Sequence, residues 1–335
     1  MTTPLFSNPI LRSEIKTHVG SIWTLASSPS GKYIASAGED KRVVVCGLSE
    51  TYPYIYSVCS LSGHDSDVVH LAWKDDNTLM SSSLDSTVKF WKISTGELID
   101  TFNHDSAVTT SAINPNDPNI FIACTFNMTA VLWDIRKHSI IKTFYFNSLP
   151  TAVSFSPDGS HIAIGCFNGF CHIYRTSDFS RITQFIVGPR HKKRMHGKKI
   201  TSILFLDNER FLIASNDSRI RMYSTDNFSL IRKYVGHKSK EAQLKLSLSP
   251  DKNFIMTTSE EDGSVFIWPI EFNTSSSSKL FWKNYPKNRS KTFEGFKIGK
   301  KMIVNSAVFA NWEGENNPFV VVCDNDGKIY TIVSE

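Results

Sequence analysis

No stretch of this chain approaches the roughly 18–20 uninterrupted apolar residues that a membrane-spanning helix requires, so none is expected. The opening MTTPLFSNPILRSEIK has no basic region followed by an apolar one, and nothing marks a secretory signal. The six cysteines, Cys46, Cys59, Cys124, Cys166, Cys171 and Cys323, form no C-x-x-C pair and sit mostly inside apolar runs. That usage argues for buried free thiols in a reducing, cytoplasmic compartment, and against a disulfide framework or a zinc site. Catalytic signatures are missing as well: there is no G-x-x-x-x-G-K-S/T loop, no G-x-G-x-x-G after a first strand, no G-x-S-x-G and no H-E-x-x-H. Acidic clusters such as Glu260-Glu261-Asp262 read as turn residues, not as an acid/base pair. The expectation is a protein that is not an enzyme and needs no cofactor or metal.

What the chain does contain is a repeat. Its 335 residues, 41% of them hydrophobic, suffice for a large buried core. Residues 81–93, SSSLDSTVKFWKI, place an Asp six positions before a Trp. The Asp position recurs as Asp40, Asp85, Asn127, Asn168, Asp217, Asp262 and Asp326, at spacings of 45, 42, 41, 49, 45 and 64 residues. Six positions after each stands Cys46, Trp91, Trp133, Tyr174, Tyr223, Trp268 or Ile332. A His precedes four of these anchors: His18, His64, His104 and His237. Within each unit the apolar residues follow period two, and turn signals such as Ser156-Pro157-Asp158-Gly159 and Ser249-Pro250-Asp251-Lys252 punctuate them. Four short strands per unit, seven times over, predict an all-β fold. It is read as a seven-bladed β-propeller of four-stranded antiparallel blades, one domain over residues 1–335. The last repeat stops at its third strand, near Lys328–Val333, and residues of about 10–17 are expected to supply the missing outer strand and close the ring.

Gly-His, Asp and Trp at these spacings resemble the WD-repeat propellers along essentially the whole chain. The resemblance implies that the anchor Asp bonds the His, which reaches the Trp indole through a Ser or Thr. Repeat 2 can build that set from His64, Ser81 or Ser83, Asp85 and Trp91. Repeats 4 and 5 have Tyr174 and Tyr223 in place of Trp and no matching His, so apolar packing is expected to hold them instead. Segments 19–40, 215–223, 259–268 and 292–297 are similar to the rabphilin-like WD-repeat group, known as effectors of an endosomal Rab GTPase. The resemblance implies a trafficking scaffold at endomembranes with a small GTPase among its partners. Members of that group contact Rab through a long N-terminal region, whereas residues 1–17 alone precede the first repeat here. Either the propeller is cut from a larger protein or it is a short relative without the Rab-binding part.

Charge adds a second layer. Residues 190–199, RHKKRMHGKK, hold six Lys/Arg and no acid, and residues 279–301 hold eight Lys/Arg and one Glu. These two segments carry +13 and the rest of the chain −8, which together give the net +5. Both are read as connections from an outer strand to the next inner strand, 4 to 5 and 6 to 7, and so as one basic rim. Arg190, Lys192, Lys193, Arg194, Lys198 and Lys199 are its candidate residues for an acidic or amphipathic protein segment. Anionic lipid or RNA is the alternative, although the Phe-Arg-Arg-Gly motif of phosphoinositide-binding propellers is absent. On the same face, the residues before three successive anchors are Leu84, Phe126 and Phe167, an apolar trio with the composition of a binding hot spot. Trp133-Asp134-Ile135-Arg136 matches the W-D-x-R signature of propellers recruited to cullin-type ubiquitin ligases. The chain is expected to act as a monomeric interaction scaffold.

Overall fold

The computed structural model describes residues 9–49, 54–188, 196–261, 263–270, 289–290, 294–297, 303–310 and 319–334. They form strands and connecting turns, with no helix among the described residues. Seven antiparallel sheets surround a central channel. Their inner strands are Ile22–Ser27, Val68–Asp75, Val108–Ile113, Pro150–Phe155, Ile200–Phe205, Ser247–Leu248 and Val304–Ala310, which number blades 1 to 7. Each blade runs outward through a second, a third and an outer strand. Blade 5 also gains a two-residue fifth strand, Arg289–Ser290, parallel to its outer strand Leu230–Val235.

A blade has two apolar faces, and each is covered by a neighbouring blade. In the third strand of blade 1, Val43 and Val45 pack with Leu71, Leu79 and Trp91 of blade 2, while Val44 and Cys46 pack with Val321 and Cys323 of blade 7. Alternating side chains therefore serve alternate interfaces, which is why a period-two strand reads as a continuous apolar run. Seven such clusters, one per interface, replace a single core.

The ring closes with strand Pro9–Lys16, which pairs antiparallel with Lys328–Ser334, the third strand of blade 7. Ile10 stands opposite Val333 and Ile15 opposite Ile329. Ser13 and Thr331 share a hydroxyl hydrogen bond of 2.6 Å, and Lys328 meets Glu14 at 2.9 Å.

The turn between second and third strands has the same backbone in every blade. The residue after each anchor takes positive φ: Lys41, Ser86, Met128, Gly169, Ser218, Gly263 and Gly327. An Asp or Asn just before such a residue can fold its side chain over the turn, as when Asp85 accepts the Thr87 backbone N–H at 2.9 Å. Blade 2 carries the full network. The Trp91 indole can only donate, so the Ser81 hydroxyl accepts from it (2.8 Å) and gives its own proton to His64 Nε2 (2.7 Å). That leaves the His64 proton on Nδ1, from which it is donated to Asp85 (2.7 Å). Burial alone would raise the Asp85 pKa; bonds from His64, Thr87 and the Asp65 N–H overcome it and hold the carboxyl below its ordinary value. Blade 1 repeats the set with His18, Asp40 and Ser36, both bonds at 2.8 Å, and ends on buried Cys46 in the Trp position.

Other blades depart from it. In blade 3 Ala123 stands where blade 2 has Ser81, and the buried His104 Nε2 and Trp133 Nε1 are both left without a partner. In blade 6 Trp268 donates to the Val235 carbonyl at 3.3 Å, and His237 Nδ1 is unpaired; Asp262 lies outside the described residues. Blade 5 corrects the expectation of apolar packing alone. Buried Arg221 is ion-paired with Asp217 and donates to Ser215 at 2.9 Å, with Arg219 on the same carboxylate at 3.1 Å. Burial opposes ionisation of Asp217, yet the arginine contacts keep its carboxyl below the ordinary value. In blade 7 the anchor Asp326 is exposed, and Asp324 instead accepts the Tyr330 hydroxyl (2.8 Å) and the backbone N–H of Asp326 and Lys328 (2.9 Å each). Spacing locates a turn; it does not say which of two nearby acids faces the buried hydroxyl.

Two stability outcomes follow. Deleting residues 1–16 lowers the thermal unfolding midpoint by several degrees, and an unchanged midpoint would contradict the role assigned to the closing strand. Ser81→Ala strands two buried nitrogens and costs about 1–3 kcal/mol in a denaturant titration, whereas Ala123→Ser supplies the missing bridge in blade 3 and adds about 0.5–1.5 kcal/mol.

Candidate functional site

The turns after the second strands and the connections into the inner strands share one face, and a cavity of about 660 Å³ opens there into the channel. Its mouth is unequal. On blades 1 to 4 an apolar arc of Trp23, Leu84, Phe126 and Phe167 lines it beside Asp67, while Glu39, before the blade 1 anchor, accepts the Ser21 backbone N–H. Phe126 is 52% and Phe167 57% exposed, while Leu84 is half-buried. Trp23 is held upright by an indole bond of 2.9 Å to Asp67. On blades 5 to 7 the corresponding positions are polar and engaged. Asn216 accepts from the Ser239 hydroxyl, Glu261 is paired with Lys238 and Lys240, and Asn325 accepts from Asn305.

The described end of the basic segment, residues 196–199, runs beside the Phe167 turn. Gly197 donates its N–H to the Asn168 carbonyl at 2.7 Å, and a Cβ on Gly169 would lie 2.5 Å from the Gly197 Cα, so glycine is required at this crossing. Lys198 is exposed, and Lys199 lines the cavity. Burial lowers the Lys199 pKa against the opposing pull of Glu260. Arg190, Lys192, Lys193 and Arg194 lie outside the described residues.

The second basic segment is not where the spacing put it. The outer strand of blade 6 is Glu294–Lys297, paired with Ser264–Pro269. Residues 271–293 therefore fall between the third and outer strands, a connection at the opposite end of the blade from the turns. The 64-residue gap between anchors shows that residues are inserted, and leaves open on which side of the outer strand they sit. Five of the segment's eight Lys/Arg thus precede the outer strand, Lys297 lies in it, and Lys300 and Lys301 follow it on the connection to blade 7, so the segment is divided between the two ends and does not fall as a whole on the rim expected for it. Trp133-Asp134-Ile135-Arg136 also lies on that opposite side, with Arg136 exposed and Asp134 accepting the Lys137 backbone N–H at 3.1 Å.

Deeper in the channel the structure shows what spacing did not. Blade 6 keeps only Ser247–Leu248 as inner strand, because residues 242–246 leave the sheet and cross the axis. Gln243 donates to the carbonyls of Thr151 in blade 4 (2.9 Å) and Thr201 in blade 5 (2.7 Å). Lys245 donates to the Thr24 hydroxyl in blade 1 (2.8 Å) and toward the Val69 carbonyl in blade 2 (3.4 Å). One signal was available: His237 precedes its anchor by 25 residues, against 22, 21 and 23 for His18, His64 and His104. The surplus is the crossing segment. Among the described residues no group of three or more His, Cys, Asp or Glu is placed to hold a metal ion.

A family profile for the WD domain, G-beta repeat, matches residues 10–46, 55–92, 96–134, 139–175, 189–224 and 228–269. The chain belongs to the WD-repeat family. Five of the six matches begin on or just before an outer strand and run into the next blade, so the first takes in the closing strand and the first three strands of blade 1; the match at 189–224 begins past the outer strand of blade 4 and holds three strands of blade 5 alone. In those five the repeat is staggered by one strand against the blade and ties two blades together. WD repeat-containing protein 44 of Xenopus laevis is 29% identical over 88% of this chain and 37% of its own length. An uncharacterized WD repeat-containing protein of Schizosaccharomyces pombe is 27% identical over 79% of this chain and 50% of its own. Protein HIR1 of Gibberella zeae is 32% identical over 34% of this chain and 12% of its own. The chain spans between about a third and a half of the length of the first two relatives.

Proposed function

We propose that this propeller is a non-enzymatic interaction scaffold that takes an amphipathic or acidic protein segment across the mouth of its channel. The observation that carries the reading is the apolar arc Trp23–Leu84–Phe126–Phe167, open to solvent on a face whose other positions are polar and paired. Burying each phenylalanine ring against a partner contributes about 1.5–3 kcal/mol, so the two together supply about 3–6 kcal/mol of the roughly 8 kcal/mol that micromolar binding needs, and the rest comes from Trp23, Leu84 and polar contacts. Lys198 and Lys199 follow the Gly197 crossing beside the Phe167 turn and favour an acidic partner through long-range attraction. Anionic lipid or RNA is the alternative, with fewer cations to draw on at this face because five of the eight Lys/Arg of the second segment precede the outer strand of blade 6. A cytoplasmic setting in membrane trafficking, with a small GTPase among the partners, rests on the resemblance to the rabphilin-like group. Recruitment to a cullin-type ligase through Arg136 would use the other face and leave the cavity free.

Quantitative affinity capture tests the reading, with the full chain and a Phe126→Ala/Phe167→Ala variant as paired baits. The expected result is a set of proteins lost from the variant while its melting temperature is unchanged. Equal recovery by both baits would remove the apolar arc from consideration.

A further inference from the structure

Among the described residues no carboxylate pairs with Lys245. Its side chain lines the same cavity that Phe126 and Phe167 border, and its ammonium donates to the Thr24 hydroxyl and toward the Val69 carbonyl. Its titratable neighbours are His70, which burial keeps neutral, and the buried Cys323, whose thiol burial keeps protonated. The other lysine lining the cavity, Lys199, has Glu260 nearby, and the acid at the rim, Asp67, is occupied by the Trp23 indole. Burial drives the Lys245 pKa down to about 7, which measures how poorly neutral acceptors replace the water an ammonium gives up. An apolar core would have removed such a residue; here the chain leaves its own inner strand to deliver it to the axis.

We propose that Lys245 is the counter-charge for a carboxylate side chain of the partner segment, so that an apolar residue is held on the Phe126–Phe167 arc and a nearby Asp or Glu is held in the throat. This rests on the docking reading above. One ammonium beside a neutral imidazole matches a single negative charge, which favours a carboxylate over a dianionic phosphate. The cavity volume of about 660 Å³ leaves room for two side chains and the backbone between them.

Random peptides displayed on phage and selected on the full chain provide the probe, and the affinities of the enriched peptides are read by fluorescence polarisation. The expected peptides share one Asp or Glu near an aromatic or aliphatic residue. Changing that acid to its amide weakens binding at least about tenfold on the natural chain and has no further effect on Lys245→Met, the non-additivity a direct pair requires. Lys245→Arg retains the preference for the acid. Peptides that depend on Phe126 and Phe167 but tolerate the amide on the natural chain would overturn the Lys245 assignment and leave the docking surface standing. That comparison needs no variant at position 245, so a misfolded Lys245→Met does not block it. Equal loss from the amide on both proteins would likewise overturn the pairing. Peptides indifferent to both phenylalanines, or no enrichment at all, would take the docking reading down with it.

Discussion

Every blade of this propeller has two apolar faces and no layer of its own to cover them, so each face is buried only because the ring returns to its start. Remove one neighbour and Val44, Cys46 and Ile34 of blade 1, or Val320 and Val322 of blade 7, face water. The closing strand Pro9–Lys16 is therefore more than an edge repair. It comes from the opposite end of the chain, fills the outer position of blade 7, and continues directly into His18 and blade 1. The one-strand stagger between repeat and blade extends the same logic around much of the circle, since five of the six matched repeats place their four strands in two different sheets.

Polar networks stand on this apolar frame unevenly. Blade 2 has a full relay from Trp91 to Asp85, blade 3 lacks the hydroxyl that would join His104 to Trp133, and blade 5 replaces the relay with the buried Arg221–Asp217 pair. The three solutions share one turn backbone, with positive φ after the anchor. The shared requirement is thus geometric: something must hold a left-handed turn closed. A carboxylate bonded to His, to Arg or to backbone N–H groups serves equally well.

This separates what could be read from the residues from what could not. The anchors, the number of blades and the closing strand were legible because turn chemistry and period-two burial act locally and repeat seven times. Leu84, Phe126 and Phe167 were legible for the same reason, as side chains one position before a known turn. Trp23 was not, because it lies on an inner strand where an aromatic residue ordinarily packs inward; its exposure follows from the bond to Asp67 of the next blade. Arg221 sat unnoticed in an alternating strand because a strand pattern does not say which polar residue faces a buried acid. The misplaced second basic segment has a related cause. Its flanks were short, and only pairing with Ser264–Pro269 reveals that Glu294–Lys297 is the outer strand.

The channel segment turns a ring of similar parts into an asymmetric molecule. Residues 242–246 give up strand pairing in blade 6, a loss of ladder hydrogen bonds, and gain contacts across the axis through Gln243 and Lys245. Blades 1, 2 and 4, which do not adjoin blade 6 along the ring, are thereby linked to it, and its neighbour blade 5 gains a further bond. Occupancy of the channel by anything that bonds this segment bears on several blades at once, and through them on the seam where blade 7 meets blade 1. A ligand that binds only the closed ring stabilises the fold in proportion to the logarithm of its concentration. The mouth is thus positioned where recognition and ring closure are thermodynamically linked, and the departures from the repeat mark that place: aromatic residues on blades 3 and 4, and a broken inner strand on blade 6.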